Sequence, residues 1–174
     1  YGARRRYALG TSLDSVMNYP MRLALMTFLR GQGDAKDLQN ALLEQRLNYP
    51  KPFYYALMNL TASHDVERTR TGLATDFEAR HTARQFQADY VVTPEMAELG
   101  RRRQYLAAAV QFSLPGIPSI YYGDEVGMEG FCDPFNRAPY QVLDTEIRKW
   151  YETLAKLRKA HPAMEGGAAA MFAP

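Results

Sequence analysis

Three short apolar runs alternate with longer stretches in which apolar residues recur at helical spacing. The runs cover residues 13–19, 54–60 and 119–122. Each run is apolar on both faces, which is typical of parallel strands that helices cover on both sides. The pattern therefore predicts three parallel β-strands.

The stretches between and after these runs predict helices. Apolar residues spaced three and four apart indicate helices over residues 21–29, 35–47, 101–114 and 144–159. The order is then strand, helix pair, strand, helix, strand, helix. This order predicts an α/β fold made of parallel βα units with right-handed crossovers. Three strands are too few for a complete eightfold barrel, which needs about 250 residues.

The composition limits the classes to which the protein can belong. With 174 residues, 47% of them hydrophobic, the chain can bury one sizeable core. A net charge of +2 argues against a nucleic-acid surface. No apolar run approaches the ~20 residues of a membrane-spanning helix, so no membrane partner is expected. The single cysteine, Cys132, excludes an intramolecular disulfide. The single cysteine and the lack of a visible signal peptide favour a cytoplasmic location over the other compartments, none of which the sequence specifies.

Titratable residues follow the second predicted strand. His64 and Asp65 are adjacent where the apolar run ends, and Glu67 and Arg68 come next. At the strand ends of an α/β barrel, side chains leave the core and can reach a ligand. An adjacent His and Asp can hold a substrate hydroxyl and stabilise a developing positive charge. The alternative is that Asp65 caps the next helix and His64 is a loop residue. Glu67 and Arg68 are expected to form a local ion pair.

Three longer motifs occur in order along the chain. They are LDSVMNYPMR at 13–22, NLTASHDVER at 59–68 and LPGIPSIYYGDEVGMEGFCDPFNRAPY at 114–140. Together they resemble the alpha-amylase family of glycoside hydrolases, especially its neopullulanase and cyclomaltodextrinase branch. LRKAHPAM at 157–164 resembles the end of the family's eighth barrel helix. The resemblance covers nearly the whole chain and is weakest in the polar span 75–92.

The resemblance implies a partial (β/α)8 TIM barrel that contains the last three βα units. The predicted strands would be the sixth, seventh and eighth of that barrel. Residues 1–162 would form the C-terminal part of the catalytic barrel. Residues 163–174 would be a loose tail or the start of a linker to a following domain.

The resemblance also implies roles for individual residues. Asp65 matches the family's acidic residue that stabilises the transition state, and His64 matches the histidine that binds hydroxyls of the same sugar. Asp133 and Arg137 match an acidic–basic pair that holds the neighbouring sugar. Tyr19 is a further candidate for substrate binding because an aromatic ring at a strand end can stack on a sugar. Two other rings are candidates for stacking, Phe131 and Phe135.

The two remaining catalytic carboxyl groups are not recognisable in this sequence. A retaining glycosidase needs a nucleophile and an acid/base about 5–5.5 Å apart. In the family these come from the fourth and fifth strands, which are expected upstream of Tyr1. Asp14, Asp124 and Glu125 are the available substitutes. Asp14 would lie at the wrong end of its strand, and a structural role fits the other two better.

These features predict a fragment of a retaining glycoside hydrolase acting on α-glucosidic bonds of starch, maltooligosaccharides, cyclodextrins or pullulan. The isolated chain is expected to be inactive and, with unpaired strand edges, to self-associate. Calcium binds some family members, but no ligand set is readable here, so no cofactor is expected. Two alternatives remain, a non-catalytic glucan-binding or structural remnant and an unrelated free-standing α/β domain.

Overall fold

The computed structural model describes residues 6–167. The expectations for the chain's first five residues and for 168–174 of the tail therefore lie outside the described residues. Eight α-helices and two β-strands follow one another in the described range. In chain order they are α1 Tyr19–Leu29, α2 Ala35–Asn48, α3 Lys51–Ala56, β1 Met58–Leu60, α4 Thr69–Ala74, α5 Arg84–Asp89, α6 Pro94–Ser113, β2 Ile117–Ser119, α7 Thr145–Ala160 and α8 Ala163–Gly166.

The sheet is parallel, as the sequence predicts. β1 pairs with β2, with Met58 opposite Ile117 and Leu60 opposite Ser119. On the other side of β1, Met17 forms an isolated parallel bridge to Met58. Three chain segments therefore run side by side in the same direction, and the structure is consistent with a part of a barrel.

The strands are shorter than the apolar runs predict. The run 13–19 contributes only the bridge at Met17, because Asn18 caps α1 by accepting a hydrogen bond from the backbone N–H of Met21 at 3.2 Å. Much of the run 54–60 belongs to helix α3, which has Pro52 in its first turn. The second correction arises because apolar runs fit buried helices as well as strands.

Two other boundaries also differ from the prediction. The third strand begins earlier, at Ile117, and residues 121 and 122 have already left the sheet. Helix α6 extends upstream of the predicted span 101–114 to Pro94, at the helix start that the sequence TPEM at 93–96 predicts, and the Thr93 hydroxyl caps it at the N–H of Met96. The polar span after residue 68 contains α4 and α5.

The helices pack on the sheet and on one another around three apolar clusters, of which the smallest contains Ala8, Tyr49, Phe53 and Leu57. The first joins α1, α2, α4 and α6 through Met21, Leu25, Met26, Leu38, Leu73 and Ala107. The second joins α6 and α7 through Ala108, Phe112, Ile147, Tyr151 and Leu154. Helices α4 and α6 approach closely at Gly100, where an added Cβ would collide with the backbone of Arg70 and the side chain of Ala74. This packing holds the loops after β1 and β2 on a rigid base.

No helix in the range 6–167 is both long enough and apolar enough to cross a membrane.

Candidate functional site

The predicted site residues lie at one edge of the sheet. Tyr19 follows the Met17 bridge, His64 and Asp65 follow β1, and Asp133 and Arg137 follow β2. Because the segments are parallel, their carboxyl ends meet at the same edge. The last four of these residues line one open cleft with a volume of about 380 Å³.

The Asp65 carboxylate is held from two sides. His64 Nε2 lies 3.3 Å from Asp65 Oδ1, and the Tyr19 hydroxyl donates to Asp65 Oδ2 at 3.3 Å. Tyr19 Oη is also 2.9 Å from Ser63 Oγ, which accepts a hydrogen bond from the Asp65 backbone N–H. More than half of each of the two side chains, His64 and Asp65, is exposed. Asp65 is thus oriented by its neighbours and still open to the cleft.

The helix-cap alternative for Asp65 is wrong. Helix α4 begins at Thr69, its N-cap residue is Arg68, and the Arg68 side chain makes no capping hydrogen bond. Asp65 lies in the turn that precedes Arg68, with its carboxylate directed to Tyr19 and His64. The adjacent histidine and aspartate are therefore free of a capping role.

Asp133 and Arg137 form an ion pair beside this turn. Arg137 Nε lies 2.6 Å from Asp133 Oδ1, and about half of each side chain is exposed. Arg137 Nη2 also donates to the backbone carbonyl of His64 at 3.3 Å. The pair that follows β2 therefore contacts the turn that follows β1.

Asn136 fastens the two loops together, and the sequence reasoning did not identify it. Its buried side-chain amide donates to the backbone carbonyl oxygens of Ser63 at 3.1 Å, His64 at 3.2 Å and Val66 at 2.8 Å. Its position between Asp133 and Arg137 was the only signal that the sequence offered. An amide there satisfies backbone groups that would otherwise be buried without donors.

The expected ion pair between Glu67 and Arg68 is absent. Glu67 is buried, and its Oε1 lies 3.0 Å from Arg22 Nη2 and 3.0 Å from Arg30 Nη2. Burial raises the pKa of Glu67, but the two guanidinium groups outweigh it and hold the pKa below its usual value. The carboxylate therefore stays charged beneath the floor of the cleft.

Arg68 is buried on the other side of the turn. Its guanidinium lies 4.9 Å from the ring centre of Tyr121 and 4.7 Å from that of Tyr122. Nη1 donates to the carbonyl of Tyr122 and lies 3.5 Å from Asp124 Oδ1. Consecutive residues 67 and 68 thus point in opposite directions, so each binds a different part of the structure.

Asp124 has a structural role. Its carboxylate is fully buried and accepts hydrogen bonds from the hydroxyl and N–H of Thr69. Burial raises its pKa to about 6, despite the opposing effects of Thr69 and Arg68. Asp14 is exposed and precedes the Met17 segment. Neither Asp14 nor Asp124 lines the cleft.

One of the predicted stacking residues is not available for a sugar. Phe131 is buried, and its ring packs on those of Phe77 and Tyr90, at centroid distances of 6.0 and 5.7 Å. The neighbouring Cys132 lines the cleft. Burial and the nearby Glu67 carboxylate raise the pKa of its thiol to about 11, so the thiol is protonated at neutral pH.

The opposite side of the cleft comes from the polar span 75–92, for which no role was predicted. Four of its residues line the cleft, namely Arg80, Thr82, Arg84 and Gln87. Among residues 6–167, no group of three or more His, Cys, Asp or Glu side chains is arranged to hold a metal ion.

The sequence has relatives among glucan-degrading enzymes, although no family model matches it. Amylopullulanase from Thermoanaerobacter thermohydrosulfuricus is 34% identical over 172 residues, which cover 91% of this chain and 11% of that protein. Cyclomaltodextrinase from a Bacillus species is 32% identical over 163 residues, which cover 91% of this chain and 25% of that protein. The chain thus spans only a tenth to a quarter of the length of these relatives.

Solved structures agree with these relatives. Cyclic alpha-maltosyl-(1→6)-maltose hydrolase from Arthrobacter globiformis superposes with a TM-score of 0.73 at 31% identity, over 92% of this chain and 32% of that one. A cyclomaltodextrinase structure gives a TM-score of 0.73 at 30% identity, over 92% of this chain and 24% of that one. Sequence and fold together identify the chain as a homologue of one part of the alpha-amylase family of glycoside hydrolases.

Proposed function

We propose that the chain is the C-terminal part of the catalytic barrel of a retaining glycoside hydrolase that cleaves α-glucosidic bonds. Its parallel segments at Met17, β1 and β2 would be the sixth, seventh and eighth barrel strands. The names of the relatives favour starch, pullulan, cyclodextrins and maltooligosaccharides as substrates. The observation that carries the proposal is the meeting of two pairs, His64–Asp65 and Asp133–Arg137, in one cleft.

Asp65 would act on the developing positive charge of the sugar. Hydrolysis of a glycoside passes through a transition state that resembles an oxocarbenium ion. A carboxylate fixed by Tyr19 and His64 and open to the cleft is preorganised to stabilise that charge. The His64 ring, beside it, would donate or accept a hydrogen bond at a hydroxyl of the same sugar.

Asp133 and Arg137 would hold the next sugar unit. Their ion pair offers carboxylate acceptors and guanidinium donors. About half of each side chain is exposed, so both groups are accessible to a ligand. Asp133 is engaged with Arg137, so Asp65 is the one cleft carboxylate in the described residues suited to the reacting sugar. The nucleophile and the acid/base would therefore come from polypeptide outside this sequence, and the chain alone would be inactive.

The alternative is a glucan-binding remnant without catalysis, which the same cleft would serve. The coding sequence upstream of Tyr1 separates the two. An Asp after a fourth strand and a Glu after a fifth favour the enzyme, and their absence favours the remnant.

Kinetics of the complete polypeptide test the proposal. We expect Asp65→Asn to lower kcat on maltohexaose at least about 100-fold, since it removes transition-state stabilisation. Asp133→Asn should mainly raise KM, because it removes a contact present in the ground state as well. Asp14→Asn, an exposed residue outside the cleft, is the matched control. An Asp65→Asn variant with unchanged kcat would overturn the assignment.

The isolated chain should also pair with a second copy of itself. Ile117 on β2 and Ile120 just beyond it are exposed, and β2 has a neighbour on only one side within residues 6–167. An uncovered apolar strand edge promotes pairing between chains. Sedimentation of the 174-residue chain should show dimers or larger species, and a monomer at high concentration would contradict this.

A further inference from the structure

The second side of the cleft is fixed to the loop that carries Asp133. This side is here called the second wall, and it is formed by Arg80, Thr82, Arg84 and Gln87. The buried side chain of Gln87 makes the connection. Its Nε2 donates to the backbone carbonyls of Ala79 at 2.8 Å and Thr82 at 3.2 Å. Its Oε1 accepts from the N–H of Cys132 at 3.0 Å. The wall is therefore positioned relative to the sugar-binding pair.

The aromatic residues of this span support the wall from behind. Phe77 packs against Phe86 and Tyr90 at ring-centre distances of 5.4 and 5.1 Å, and against Phe131 at 6.0 Å. None of these rings lines the cleft. The wall therefore presents polar side chains, which recognise a ligand by hydrogen bonds rather than by stacking.

Among these polar side chains, only that of Arg84 is uncommitted. Arg80 Nε lies 2.7 Å from Glu78 Oε2, and the Thr82 hydroxyl donates to the carbonyl of Ala79 at 2.7 Å. Arg84 is exposed and has no hydrogen-bond or ion-pair partner among residues 6–167. A guanidinium carries five N–H donors in a fixed plane, which suits adjacent hydroxyls of one sugar ring.

We propose that Arg84 binds a further glucose unit of the α-glucan, beyond the unit held by Asp133 and Arg137. This inference rests on the proposed function and deepens it, because it makes the second wall the determinant of substrate length. Glucans long enough to reach Arg84 gain its hydrogen bonds, and short ones do not.

Binding to maltose and maltohexaose tests the inference. The titrations use the complete polypeptide with Asp65→Asn, so that the sugars are not hydrolysed. We expect Arg84→Ala to weaken maltohexaose binding about fivefold, as loss of one or two hydrogen bonds would, and to leave the binding of maltose, which fills only the first two positions, unchanged. Arg84→Lys should lose part of the affinity, because it keeps the charge without the planar donors.

The matched control is Arg102→Ala, which removes an exposed arginine that pairs with Glu98 on α6. It should change neither affinity. Thermal melting of each variant checks that the fold is retained. If Arg84→Ala affects both sugars equally, or neither, the inference is overturned while the proposed function stands. If the complete polypeptide that carries Asp65→Asn and keeps Arg84 binds neither sugar, the proposed function fails and the inference fails with it.

Discussion

The side-chain amide of Asn136 donates a hydrogen bond to the carbonyl oxygen of Val66 at 2.8 Å, between residues 70 positions apart in the sequence. The same amide reaches the carbonyls of Ser63 and His64. One side chain thus links the loop after β2 to the turn after β1. The pairs His64–Asp65 and Asp133–Arg137 therefore depend on each other for position, although Asn136 contacts only backbone carbonyls of the turn.

Substitution of Asn136 by alanine should loosen both pairs. It leaves three backbone carbonyls without this donor, and we expect the free energy of unfolding to fall by about 2–3 kcal/mol. Maltohexaose affinity should fall as well, because the turn carrying His64 and Asp65 is no longer fixed. Urea denaturation and calorimetric titration measure the two effects.

Asn40→Ala, an exposed asparagine on α2, is the control for Asn136 and should change neither quantity. A stable Asn136→Ala protein with undiminished affinity would show that the loops hold their positions independently.

Glu67→Gln should destabilise the chain strongly. The substitution leaves the buried guanidinium groups of Arg22 and Arg30 without a compensating charge, and such a loss costs about 3–5 kcal/mol. Because the pKa of Glu67 is lowered in the folded chain, its contribution is present above the ordinary pKa of 4.5 and is lost as pH falls below that value. Denaturation of both proteins at pH 7 and pH 3.5 should show the difference shrinking.

Glu98→Gln is the control for Glu67, since Glu98 is half exposed and its ion pair with Arg102 lies on the surface. Its effect should stay within about 0.5 kcal/mol at either pH. A Glu67→Gln effect as small as this would mean that the two arginines find other partners.

The sequence predicted the parts of the site that depend on local order, and it missed those that depend on long-range contacts. His64 and Asp65 follow an apolar run directly, so their place at a strand end was readable. The partners of Glu67 and Arg68 could not be predicted from the sequence. These adjacent side chains are buried in different places, and Glu67 pairs with Arg30, which is 37 positions away. The second wall was missed for the same reason, since Gln87 reaches Cys132 only in the folded chain.

Strand lengths show a second limit of the sequence. The run 54–60 is apolar except at Asn59, yet helix α3, which begins at Lys51 with Pro52 in its first turn, continues to Ala56. Apolar periodicity alone does not separate a short buried helix from a strand. The order and parallel direction of the segments were nevertheless predicted, because they follow from the alternation of strands and helices along the chain.

Asp124 should make the stability of the chain depend on pH between about 4 and 6. Burial raises its pKa to about 6, so in this range the folded chain holds a proton that the unfolded chain has released. Its contribution to stability therefore falls as pH rises through the window, by about 3 kcal/mol for a shift of about two pKa units. Asp124→Asn cannot ionise, so urea denaturation at pH 4 and 6.5 should show a smaller loss of stability than in the wild type.

Glu67 contributes a pH dependence of stability with the opposite sign. Because the wild type and Asp124→Asn both contain Glu67, its contribution cancels when the two proteins are compared. Asp14→Asn, at an exposed position, should leave the pH dependence unchanged. An identical loss between the two pH values in wild type and Asp124→Asn would show that the buried carboxyl group does not take up a proton in this range.

Cys132 should react slowly with iodoacetamide while the chain is folded. Burial and Glu67 raise the pKa of its thiol to about 11, so at pH 8 the reactive thiolate is about a hundred times scarcer than in an unperturbed cysteine. Since Cys132 is the one cysteine of the 174 residues, mass spectrometry follows a single site. The urea-unfolded chain is the control and should react about 100-fold faster.

Glu67→Gln removes the neighbouring charge, so under conditions where this variant stays folded its thiol should react faster than that of the wild type. Equal rates in the folded and unfolded wild type would contradict the placement of this thiol beside Glu67 in the cleft.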